Sequence, residues 1–102
     1  MLQACKNIIF VTSGLTSPED FENDAIAMEN IDLCLSIILE QHVSSRIEGA
    51  ILPPKIAWND IEGFKSIIDK KEKTDNDYAL IFYSCKNLIP KLKGKLEAYI
   101  AA

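Results

Sequence analysis

The chain has 102 residues, 48% of them hydrophobic and 25% charged, with four glycines and four prolines; this supports one core and one domain and excludes a disordered or fibrous chain. The formal net charge of −4 argues against direct nucleic-acid binding. No run reaches the roughly 18 apolar residues of a membrane span, the richest being Leu33 to Leu39, which includes Ser36.

Leu2, Cys5 and Ile9 share one helical face ahead of Gly14, which predicts a short first helix. A strand over residues 7–12 is the competing expectation, because Ile-Ile-Phe-Val-Thr is rich in β-branched and aromatic side chains. Ser17 as N-cap, Pro18 in the first turn and Asp20 three residues past the cap then start a second helix. Its apolar stripe runs through Phe21, Met28, Ile31, Leu35, Ile38 and Leu39, and an opposing ridge through Glu22, Glu29, Asp32, Ser36 and Glu40. From Leu33 to Leu39 it is apolar nearly all round, which marks the central element of the core. It is expected to run to about Glu48, with Gly49 as cap and Pro53-Pro54 as stop, while Ser44-Ser45 offers a place for a bend or an early end.

After the Pro-Pro connector, Asn59 and Glu62 resemble a cap pair, and Ile61, Phe64 and Ile68 form a short third stripe that ends in the charged run Asp69 to Lys73. Thr74 with Asp77 opens the last helix, whose stripe is Tyr78, Ile81, Cys85, Leu88, Leu92, Leu96 and Tyr99. Pro90 falls inside it and predicts a kink or two abutting helices near Ile89. The expected fold is all-α: a compact bundle of about four helices with a long central second helix and a Pro-kinked C-terminal one.

Motifs for catalysis, metal or nucleotide binding are missing. Cys5, Cys34 and Cys85 lie far apart among apolar neighbours and read as buried reduced thiols. His42 continues the apolar line of the second helix without a nucleophile signature, so a packed histidine is preferred to a catalytic base. Asp75-Asn76-Asp77 lacks the glycine and closing glutamate of a calcium loop, and the scattered glycines form no phosphate cradle. No enzyme activity, cofactor or metal is expected. The N-terminus has Lys6 and only the apolar run Ile8 to Val11, too short for a secretory signal, which makes the cytoplasm the expected location.

Charge distribution is the one functional signal. Residues 7–45 contain no lysine or arginine but hold Glu19, Asp20, Glu22, Asp24, Glu29, Asp32 and Glu40. Residues 1–45 sum to −6 and the rest to +2. Such a one-sided field steers a basic partner toward the acidic half, with Trp58 as a candidate aromatic anchor. Size, acidity and expected location are similar to those of bacterial immunity proteins that neutralise nuclease toxins by covering a phosphate-gripping site with carboxylates. The likeness is one of class: no motif matches residue by residue, and no position is carried over. The alternative is a helical adaptor, secretion chaperone or oligomer subunit that binds through surplus apolar positions such as Ile26, Leu33, Ile37 and Leu80.

Overall fold

The computed structural model describes residues 1–47 and 56–101, and side-chain caps set the helix starts near Ser17, Asp24 and Thr74. Helix α1, Leu2–Thr12, turns Ala4, Cys5, Ile8 and Thr12 into the core, so the apolar run near residue 8 is helical and no strand occurs among the described residues. The Thr12 hydroxyl donates to the Ile8 carbonyl at 2.8 Å, which satisfies a buried polar group inside the helix.

Helix α2, Pro18–Glu22, starts where the sequence predicts. The Asp20 carboxylate accepts from the backbone N–H groups of Thr16 at 2.8 Å and Ser17 at 3.2 Å. A five-residue helix has too few hydrogen bonds to stand alone. It is held by its one buried side chain, Phe21, which meets the Phe82 ring edge-to-face at 6.0 Å.

The expected single helix from Pro18 onward is divided here. Asn23 donates from its amide to the Glu19 carbonyl, closing α2, and Asp24 accepts the Ala27 N–H at 2.9 Å, opening α3. Two adjacent short polar side chains thus offer the backbone a stop and a new start in place of two helical turns. Helix α3, Ala25–Ile47, is the long central element, 23 residues, and passes through Ser44 and Ser45 without ending. Ile31, Leu35 and Ile38 are fully buried on its inner face. The expected stop at Glu48, Gly49 and Pro53-Pro54 lies outside the described residues.

Helix α4, Trp58–Ile68, begins one residue before Asn59, with Ala57 at its N-cap and no side-chain cap. The Asn59–Glu62 pair therefore does not cap it. Instead, the Ala57 carbonyl accepts from both Asp60 and Ile61, and Trp58 is already committed to stacking on His42 at 3.8 Å and 5° between planes.

Helix α5, Asp75–Tyr83, opens with the expected reciprocal cap: Thr74 Oγ1 accepts the Asp77 N–H at 3.2 Å, and Asp77 Oδ2 accepts the Thr74 N–H at 2.8 Å. Lys70 Nζ lies 2.8 Å from the same carboxylate. The Lys70 ammonium, and then the Thr74 N–H, hold the Asp77 carboxyl below the usual aspartate range. A depressed folded-state pKa stabilises above the unfolded value, near 3.9, and that stabilisation is lost as pH falls through the folded value. The urea midpoint of Asp77→Asn should therefore fall less than the parent chain's between about pH 4 and about pH 2, the remaining fall coming from the other depressed carboxyls, Asp20, Asp69 and Glu97.

The last helix runs without a loop from α5 through a π-turn, Ser84–Leu88, into α6, Ile89–Ala101. In a regular α-helix the Pro90 ring would collide with the Lys86 carbonyl and leave it without a donor. The wider turn places the interruption just ahead of the proline: the Ile89 N–H bonds to the Ser84 carbonyl, a five-residue step. Helices α1, α3, α4 and the α5–α6 helix surround one cluster that includes Ile8, Leu35, Phe64, Ile81 and Ile89. The Cα radius of gyration of the chain is 13.6 Å.

Candidate protein-binding face

The acidic residues of the first half divide into those that build the fold and those that face solvent. Asp20 reaches back to the Thr16 and Ser17 N–H groups in the capping box of α2, and Asp24 accepts the Ala27 N–H at the start of α3. The Thr16 N–H, ahead of the other contacts, holds the Asp20 carboxyl below its ordinary value. Asp32 reaches across to α4, where its Oδ1 lies 2.7 Å from Lys65 Nζ. Burial opposes the charge on Lys65, but the carboxylates of Asp32 and Asp69 outweigh it and raise the Lys65 pKa. Those three residues form a clip between α3 and the end of α4.

Glu19, Glu22, Glu29 and Glu40 are exposed, and no ion pair engages them among the described residues. Glu19 and Glu22 meet Asp75, the first residue of α5, in a cleft of about 290 Å³ floored by Pro18 and Tyr78. Sequence reasoning did not single out Asp75 as a partner-binding residue, because it belongs to the half with net positive charge. Only the packing of α2 on α5, set by Phe21 against Phe82, brings it into the acidic group.

Glu29 and Glu40 stand on the outward face of α3 beside apolar side chains: Ile26 is 73% exposed, Leu33 61% and Ile37 38%. The ridge that the sequence marked as polar is therefore a mixed acidic and apolar surface. Trp58 is half-buried, its ring stacked on the buried His42, which makes it part of the α3–α4 packing.

Cys5, Cys34 and Cys85 are all buried. Burial pushes the Cys5 thiol up to about 11 and the Cys85 thiol up to about 12, and raises Cys34 as well, so none is poised as a thiolate nucleophile at neutral pH. Among the described residues no group of three or more His, Cys, Asp or Glu side chains could hold a metal ion, and no helix is long and apolar enough to cross a membrane. No protein-family model, curated protein or solved structure matches the chain.

Proposed function

We propose that this chain is a non-enzymatic, cytoplasmic protein-binding protein of the immunity or inhibitor type, whose acidic surface covers the basic site of a toxin or nuclease domain. The observation that carries the reading is the set of carboxylates left without cations: Glu19, Glu22 and Asp75 around one cleft, Glu29 and Glu40 along α3. Unneutralised like charges repel one another in the free protein, and a basic partner relieves that repulsion on binding. The cleft over Tyr78 has room for a lysine or arginine side chain, which an aromatic floor also attracts.

The test variant replaces Glu22, Glu29 and Glu40 together by glutamine. Asp32 is left intact because its pairing with Lys65 belongs to the fold. Tagged parent and variant are used to capture partners from the native lysate at low and high salt. The expected result is a basic toxin or nuclease domain that the parent retains at low salt only, that the variant retains poorly, and whose activity stops on addition of the parent chain. A partner held equally by both proteins, or insensitive to salt, would sink the acidic-face reading.

A second reading, a helical adaptor, secretion chaperone or oligomer subunit, is favoured by one observation. Leu80 and Tyr83, 49% and 57% exposed, line a groove of about 380 Å³ between α4 and α5 together with Ile67 and Leu88. Its partner would resist salt and be lost on Leu80→Ser.

A further inference from the structure

The proposed acidic-face reading explains the carboxylates of α3 but not the apolar side chains set among them. Ile26, Leu33 and Ile37 recur at seven- and four-residue spacing, which on an α-helix is one ridge about 16 Å long. Glu29 and Glu40 run along one side of that ridge, and both are exposed. A contact with phosphate-binding lysines alone needs carboxylates; it gives no reason for leucine and isoleucine to face water.

We infer that the outward face of α3 docks a basic amphipathic helix of a partner protein, with Leu33 as the central apolar anchor and Glu29 and Glu40 as the charges that guide it in. This rests on the acidic-face reading and names the kind of partner surface that meets it. Charge selects this occupant over the others. A second copy meeting this face with its own α3 face would bring Glu29 and Glu40 against the same residues, and no lysine or arginine between residues 7 and 45 could offset them. An anionic lipid surface or a nucleic acid is repelled for the same reason. A helix with apolar residues at i, i+3, i+4 and i+7 and lysines or arginines along one side of that stripe satisfies both components. The division of labour follows: carboxylates raise the association rate, and the buried ridge sets the dissociation rate.

The test uses the full chain and three synthetic helical peptides as probes: leucine–lysine with an apolar stripe, lysine-rich with the stripe replaced by polar residues, and leucine–glutamate. Binding is followed by stopped-flow fluorescence, and the site is mapped by backbone amide shifts. The leucine–lysine peptide should perturb amides around Ile26, Leu33 and Ile37. Leu33→Ser should weaken it roughly tenfold or more, chiefly through faster release, with the helical circular dichroism unchanged. Glu29→Gln with Glu40→Gln should slow its association at low salt and leave release unaltered. Binding that ignores Leu33→Ser, that maps to the Leu80–Tyr83 groove or that fails altogether would overturn the assignment. Equal affinity for the lysine-rich peptide would remove the apolar anchor while leaving the acidic-face reading in place. Equal affinity for the leucine–glutamate peptide would remove both. A Leu33-dependent dimer on sedimentation would replace the partner helix by a second copy.

Discussion

Leu35→Ala should destabilise the protein by about 2–5 kcal/mol, whereas Leu33→Ala, two residues earlier on the same helix, should cost less than about 0.5 kcal/mol. Leu35 is fully buried and Leu33 is 61% exposed, so only the first leaves a cavity. Leucine and alanine have similar helix propensities, which removes the backbone from the comparison. Against a total stability of about 5–15 kcal/mol for a domain, the first change brings the chain close to unfolding and the second goes unnoticed. Urea titration of both variants is the check, with the slope compared to ensure that the unfolded state has not shifted. Equal losses would mean that the outward face of α3 is buried in solution, and would remove the basis for a docking ridge there.

The second large effect is expected at Lys86. Its ammonium donates to the Thr12 carbonyl at 2.7 Å, in a partly buried contact that joins the π-turn to the end of α1 across 74 residues of chain. The last carbonyls of a helix lack intrahelical donors and carry the negative end of its dipole, so a cation there meets both needs. Lys86→Met keeps much of the apolar stem but leaves that carbonyl without its charged donor, which should cost about 1.5–3 kcal/mol. Chemical denaturation measures it. A loss under about 0.5 kcal/mol would show that water takes the lysine's place at no net cost.

How much of this was legible beforehand depends on the range of the interactions involved. The starts at Pro18 and Asp75 were readable because a cap is made by residues three apart. The single fold class followed from the stripes on α3, α4 and the last helix. The helix break at Asn23-Asp24 was missed because each residue there is tolerable in a helix taken singly, and the pair stops it by bonding backbone groups on both sides. Pro90 announced an interruption, but whether it takes the form of a loop, a kink or a π-turn depends on whether the flanking side chains stay in the core. Of the acidic site residues, the sequence could mark the charge but not its use. Asp32 differs from Glu29 only in meeting Lys65 from another helix, and Asp75 joins Glu19 and Glu22 only through tertiary packing. The exposure of Ile26, Leu33, Ile37 and Leu80, by contrast, was legible, because a small helical bundle has too few faces to cover every apolar position of so apolar a helix.

The π-turn has a further effect on the architecture. The π-turn takes up one residue more than an α-helical turn does, so the side chains beyond it point about 100° back from where an uninterrupted α-helix of this sequence would aim them. The segment before Ser84 packs on α2 and α4, while the segment after Leu88 packs on α1. The chain thus changes neighbours along one continuous helix, without a loop or a reversal of direction. Closing this turn to a regular α-helix at unchanged length would swing Leu92 and Leu96 about 100° away from the partners they now have, whereas deleting one residue between Ser84 and Leu88 would close the turn and leave both aimed where they are.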